Sequence, residues 1–242
     1  MTVRRYPDAD TLAHAAADDL DAIVREAVAA RGTCSIALSG GNTPKRMFQV
    51  LAERGRAALP WHQVELWWGD ERTVSADHPD SNYGMALHSL IEPLGIDPAR
   101  VHRMHGEDDP VAAAAAYEQT LVTACGLPPV LDLVLLGLGP DGHTASLFPG
   151  SPALTEPEHF VVANPVDSPF AGGQTMRITF TARTINVARR VRFVISGSDK
   201  AEALAGVLEG PPDRYPAQLI ENADLVWLVD EAAASRLSRE GS

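Results

Sequence analysis

Cysteine is scarce: Cys34 and Cys125 are the only two in 242 residues. That is too few for a disulfide framework or a thiolate zinc site, and both read as small buried residues. Long apolar runs are missing as well. The longest, Val130 to Leu138, is broken by Asp132 and falls far short of the roughly 20 residues that span a bilayer. The first residues, with Arg4 and Arg5, are followed by no apolar stretch of the kind a secretory signal needs. These absences point to a cytoplasmic chain with no membrane partner. Positive charge is the third shortage, 20 Lys+Arg against 32 Asp+Glu for a formal charge of −12. So acidic a chain repels polyanions, and nucleic acid is not an expected partner. Lysine is rarest of all: Lys45 and Lys200 are the only two, both just after small-residue turns at expected helix starts. An anionic small molecule would have to be met by cations gathered locally.

What is present is globular: 45% of the residues are apolar and 21% charged. The length allows one large domain or two small ones. With no internal repeat, low-complexity tract or Gly/Ser linker, residues 1–242 read as one domain. Leu12, Leu20, Ile23, Val24, Ala27 and Val28 recur at helical spacing between Asp8 and Gly32. Cys34 to Leu38 is a short strand ending in a glycine turn, after which Thr43 can cap and Pro44 can open a helix reaching Gly55. Val64 to Trp68 is a second strand, closed by Gly69-Asp70-Glu71-Arg72. Ser81 to Leu90 is a helix, and Asp109-Pro110 opens an alanine-rich one that Gly126 and Pro128 end. Leu131 to Leu138 is the strongest strand. Phe160 to Val162 and Met176 to Thr181 follow with no full helix between them, which suggests a small antiparallel insertion. Val191 to Ile195, Ser198 to Leu208, Leu225 to Val229 and Glu231 to Leu237 then alternate strand and helix. Strands that read as continuous apolar runs between helices imply an α/β fold: a Rossmann-like, mostly parallel sheet with helices on both faces.

In such sheets ligands bind beyond the carboxyl ends of the strands. Four polar clusters stand there: Ser39-Gly40-Gly41-Asn42-Thr43, Asp70-Glu71-Arg72, Gly139-Pro140-Asp141-Gly142-His143, and Ser196-Gly197-Ser198-Asp199-Lys200. The first offers free backbone N–H groups and a helix N-terminus, which suit a phosphate, although many ordinary turns look the same. Gly137-Leu138-Gly139-Pro140-Asp141-Gly142 satisfies the dinucleotide pattern G-x-G-x-x-G, but Pro140 lies inside the loop and Pro149 stops any long helix, so that reading is rejected. Asp141-Gly142-His143 instead aims a carboxylate and an imidazole into the crevice. Lys200 adds a point charge to a second N–H cradle. Arg177 is a weaker candidate, because a cation in a strand is usually on an exposed face. No G-x-S-x-G elbow supports a serine hydrolase, and His102 with His105 is too little for a metal site.

Taken together, Ser39 to Pro44, Trp68 to Arg72 with Ser81-Asn82-Tyr83-Gly84, Gly137 to Pro149, and Ser196-Gly197 with Lys200 resemble the 6-phosphogluconolactonases, which share a superfamily with the glucosamine-6-phosphate deaminases. The resemblance runs through essentially the whole chain in order. It implies a Rossmann-like fold, no cofactor or metal, a sugar-phosphate lactone as the small-molecule partner, no obligate protein partner, and hydrolysis of 6-phosphogluconolactone in the oxidative pentose phosphate pathway. The deaminase pattern has an acidic residue five positions after the shared histidine, where this chain has Phe148. The residue after Asp70-Glu71, Arg72, also resembles the lactonase version.

On this reading His143 takes a proton from the attacking water, with Asp141 or Asp70 orienting its ring. Gly40, Gly41, Asn42 and Thr43 hold the 6-phosphate with Lys200 and Arg177, and Arg72 serves either the phosphate or the oxyanion. The alternatives are an amino-sugar-phosphate deaminase and a non-catalytic sugar-phosphate sensor. A sensor of this fold would be expected to carry a basic helix-turn-helix segment, and none is legible.

Overall fold

Short apolar runs become buried strands because each residue of a covered sheet has a helix layer above or below it. The structure, a computed structural model, describes residues 2–173 and 175–238. The strands are β1 (Thr2–Tyr6), β2 (Cys34–Leu38), β3 (Val64–Trp68), β4 (Asp70–Arg72), β5 (Leu133–Leu136), β6 (Val161–Pro165), β7 (Met176–Phe180), β8 (Val191–Ile195) and β9 (Leu225–Asp230). The helices are α1 (Ala9–Arg31), α2 (Asn42–Glu53), α3 (Asn82–Ala86), α4 (Glu92–Leu94), α5 (Pro110–Cys125), α6 (Ala182–Asn186) and α7 (Ala201–Glu209). Six strands form a parallel sheet in the order β1-β9-β8-β5-β2-β3. Alternate residues feed two cores. Ile36, Leu38, Leu66, Trp68, Leu133 and Leu135 join one, and Ala37, Trp67, Val134 and Leu136 join the other. Each fully buried Leu or Ile contributes about 1.5–3 kcal/mol relative to exposure.

Helix α1 begins where the Asp8 carboxylate accepts the Thr11 N–H at 2.7 Å and ends at Gly32, whose φ of 79° is the left-handed conformation glycine adopts freely. The antiparallel insertion is a three-stranded sheet in the order β4-β7-β6. Among the described residues no helix is long and apolar enough to cross a membrane.

Several local expectations change. Asp70 to Arg72 is a strand of the small sheet, not a closing turn, because its backbone pairs with Arg177 to Thr179. Gly41, not Thr43, caps α2, and Thr43 lies inside the helix. The helix over Ser81 to Leu90 starts with Ser81 as its cap, then passes through a π-turn at Leu87–Ile91. The first turn of the Ser198 helix is 3₁₀, and the stretch after Glu231 is only a 3₁₀ turn, Ala233–Arg236. Strand β1, an edge with three exposed residues, carries too little apolar pattern to be read beforehand.

The order of the main sheet reverses at β2, which has β3 on one side and β5 on the other. Loops leaving β2 and β5 at their carboxyl ends therefore diverge, and a crevice opens between them.

Candidate active site

A cleft of about 500 Å³ occupies that crevice. The loop after β2 supplies Ser39 to Thr43, the loop after β5 supplies Gly137 to Pro140 and His143 to Ala145, and the loop after β8 supplies Ser196, Asp199 and Lys200. Asp70 and Arg72 reach it from β4. Three of the four polar clusters of the sequence meet here through the main sheet, and the fourth arrives from the small one.

Gly40 and Gly41 are required by geometry. A Cβ on Gly40 would lie 1.8 Å from Oδ1 of Asn82, and Gly41 has a φ of 101°. The turn thus presents bare backbone at the start of α2, whose first N–H groups have no intrahelical acceptor. Opposite it, Lys200 Nζ lies 3.0 Å from Asp199 Oδ2, and the lysine side chain is 24% exposed. Lys45, the other lysine, lies outside this cleft, in a separate hollow with Gln49 and His88.

The two arginines part company. Arg72 lines the cleft; its Nη1 donates to the Asp80 carbonyl at 2.5 Å, and its buried Nε has no partner among the described residues. Arg177 stands opposite Arg72 in the β4–β7 register but is buried, is absent from the cleft lining, and donates from Nη2 to the Ala171 carbonyl at 2.5 Å. Burial, and then the neighbouring Arg72 charge, lower the pKa of Arg177. It stands outside the residues that line the cleft.

His143 and Asp141 form a close pair, with Nδ1 2.5 Å from Oδ1 and side chains 19% and 16% exposed. The same Oδ1 accepts the His143 backbone N–H at 3.2 Å. Burial alone would raise the Asp141 pKa, but the hydrogen bond from the ring, its charge and the backbone N–H outweigh burial and lower it. An ionised carboxylate only accepts, so Nδ1 carries the hydrogen and a neutral ring keeps a lone pair on Nε2. Nε2 makes no hydrogen bond among the described residues. The ring is fixed on both sides. Phe148 stacks on it, with centroids 4.1 Å apart, and Gly139 passes so close that a Cβ there would lie 2.1 Å from Nδ1.

Among the described residues Asp70 makes no hydrogen bond to that ring. Its Oδ2 accepts from Ser146 Oγ at 2.6 Å and its Oδ1 from Asn82 Nδ2 at 3.3 Å, which leaves an almost buried carboxylate on the cleft wall. Glu71 points inward and accepts the backbone N–H groups of Arg72, Asn82 and Tyr83. Burial raises its pKa despite those bonds.

The cleft also contains residues to which no role of their own was assigned from sequence. Asn82 packs against Gly40, Asp199 pairs with Lys200, and Phe170, 48% exposed, stands on the wall. Ser168 reaches Asp141 from behind. The last two lie on the β6–β7 connection, where no periodicity marks them; only the unusual exposure of an aromatic in a polar loop could have.

Comparison with known proteins agrees with this architecture. The family model described as glucosamine-6-phosphate isomerases/6-phosphogluconolactonase matches residues 7–227. A 6-phosphogluconolactonase of Synechocystis sp. is 44% identical over 222 residues, covering 88% of this chain and 89% of the relative. One from Streptomyces coelicolor is 38% identical over 250 residues, covering 97% and 94%. Among solved structures, the 6-phosphogluconolactonase of Trypanosoma brucei superposes with a TM-score of 0.86 at 29% identity, covering 98% of each chain. A monomeric glucosamine-6-phosphate deaminase reaches 0.83 at 24% identity, over 98% of this chain and 100% of that one, a likeness of fold.

Proposed function

The chain belongs to the glucosamine-6-phosphate isomerase/6-phosphogluconolactonase family, and we propose that it hydrolyses 6-phospho-D-glucono-1,5-lactone to 6-phosphogluconate, the second step of the oxidative pentose phosphate pathway. The observation that carries this reading is the Asp141-held imidazole of His143 in one cleft with the Gly40 to Thr43 turn and Lys200. A general base at one end and an anion cradle at the other suit a phosphorylated sugar ester.

Nε2 of His143 takes a proton from water as the water oxygen attacks the lactone carbonyl carbon, and the carbonyl oxygen becomes an oxyanion. Such base assistance is typically worth about a hundred- to ten-thousand-fold. When the intermediate collapses, the bond between the carbonyl carbon and the ring oxygen breaks, and the imidazolium returns the proton to that oxygen. Asp141 keeps the ring in the right tautomer and stabilises its charge meanwhile. The phosphate rests on the N–H groups of Gly40, Gly41, Asn42 and Thr43 and on Lys200, which fixes the distance from the base. Arg72 lies beside Asp70 on the wall and supplies positive charge to the phosphate or the oxyanion. Arg177 acts behind it, through the wall. This reading takes residues 1–242 as one catalytic unit working in the cytoplasm.

Deamination of an amino-sugar phosphate is the reading that Phe148 disfavours, since an apolar ring lies against His143 where a second acid would be needed. The deciding experiment is a background-corrected hydrolysis assay on fresh 6-phosphogluconolactone beside an ammonia-release assay on glucosamine-6-phosphate. Lactone turnover without ammonia supports the assignment; the reverse overturns it.

A further inference from the structure

Oδ1 of Asp141 is occupied by the ring and backbone N–H of His143. Oδ2 is held by a residue from a different part of the chain: Ser168, on the β6–β7 connection, places its Oγ 3.2 Å away. A carboxylate has no hydrogen to give, so the hydroxyl is the donor. Its lone pairs are engaged too, since the Phe170 N–H donates to the same Oγ at 3.2 Å. The hydroxyl is therefore locked between a donor behind it and an acceptor in front.

The turn that carries Ser168 is itself anchored. Ser168 caps the 3₁₀ turn Pro169–Ala171, and the Ala171 N–H returns to the Ser168 carbonyl at 3.0 Å. The Ala171 carbonyl accepts from Arg177 of β7. Phe170, between them, faces the cleft.

We propose that Ser168 is a positioning residue for the reaction: by holding the second oxygen of Asp141 it stops the carboxylate from turning about its Cβ–Cγ bond. The first oxygen then stays on Nδ1–H and Nε2 stays free of hydrogen. The proposal rests on the reading of His143 as the base. Ser168 touches no reacting atom and works only through Asp141.

The test uses the full chain with Ser168→Ala and Ser168→Thr. The position is half-buried on a connecting loop, so both variants fold. Two measurements are made: the ¹⁵N chemical shifts of the His143 ring in the resting protein, assigned against His143→Ala, and the steady-state constants for 6-phosphogluconolactone. In Ser168→Ala the ring becomes a mixture of Nδ1–H and Nε2–H tautomers, and kcat falls about fivefold, the scale of one lost hydrogen bond, with KM unchanged. Ser168→Thr, which keeps the hydroxyl, restores both. An unchanged ring spectrum in Ser168→Ala overturns the proposal, as does a threonine variant no better than alanine. If the wild-type chain does not turn over the lactone, the function assigned above fails, and the ring spectrum still decides the role of Ser168.

Discussion

The ring of Phe148 lies face to face with the imidazole of His143, centroids 4.1 Å apart and planes inclined by 26°. The contact covers one face of the imidazole and fills the place from which another acid could reach the substrate. Phe148 is only 3% exposed, so leucine can replace it without opening the site to water. Phe148→Leu lowers stability by about 1 kcal/mol, the usual scale of a lost aromatic pair, and lowers kcat while KM holds. Thermal denaturation and initial rates check both, and an unaltered kcat would remove the stack from the catalytic argument.

Replacing Asp141 by Asn tests the tautomer. An amide in that place offers Nδ1 either an acceptor or a donor, and the donor arrangement puts the ring hydrogen on Nε2. The expected loss is about 100-fold or more in kcat, with product binding retained in calorimetry.

The same carboxylate sets a pH signature. Its folded pKa lies below the ordinary 3.8, so the folded state binds fewer protons at Asp141 than the unfolded chain does. Its contribution to stability is complete above the ordinary value and disappears as pH falls through the folded value. Acid unfolding curves of wild type and Asp141→Asn therefore begin to approach each other as pH drops past 3.8 and meet only below the lower folded value; curves that diverge over that range contradict the pairing.

Lys200→Ala raises KM and leaves kcat within about twofold, because a phosphate contact is the same in ground and transition states. Asp199→Asn frees the ammonium from the carboxylate 3.0 Å away and lowers KM. Steady-state kinetics on the two single variants would show opposite movements; movement in one direction places the phosphate elsewhere.

Gly139→Ala separates chemistry from binding. The added methyl falls 2.1 Å from the His143 ring and 2.8 Å from Asp141 Oδ1, so the base must shift. A displacement of about 1 Å costs about a hundredfold in rate. The variant binds 6-phosphogluconate like wild type but turns over poorly, and a rate near wild type would mean that the ring is not held where the structure places it.

Legibility in the sequence followed burial. β2, β3, β5, β8 and β9 are covered on both faces and read as unbroken apolar runs. β4 has three residues, and its partners stand more than 100 positions away, at Arg177 to Thr179, so nothing local marks it as a strand. The closing 3₁₀ turn escaped recognition because the Asp230 carboxylate captures the Ala233 N–H at 2.7 Å, a tertiary preference that no helical periodicity reports. For the site, the rule that ligands gather beyond strand ends found the four clusters that meet at the cleft. It could not tell that Arg177 stands outside the cleft lining, because two neighbouring strands of an unseen sheet decide that. Nor could it choose between Asp141 and Asp70: the first pairs with the His143 ring, while the oxygens of the second are taken by Asn82 and by Ser146, a partner 76 positions away.

The pairing of Thr2 with Val226 has a consequence for birth of the molecule on the ribosome. The edge strand emerges before its partner, whose docking surface is made 224 positions later. At a synthesis rate of about 5–20 residues per second, that segment waits roughly 10–45 s with its hydrogen-bonding groups unsatisfied by sheet. Its two arginines, Arg4 and Arg5, place charge on the strand while it waits and so blunt edge-to-edge pairing with other chains.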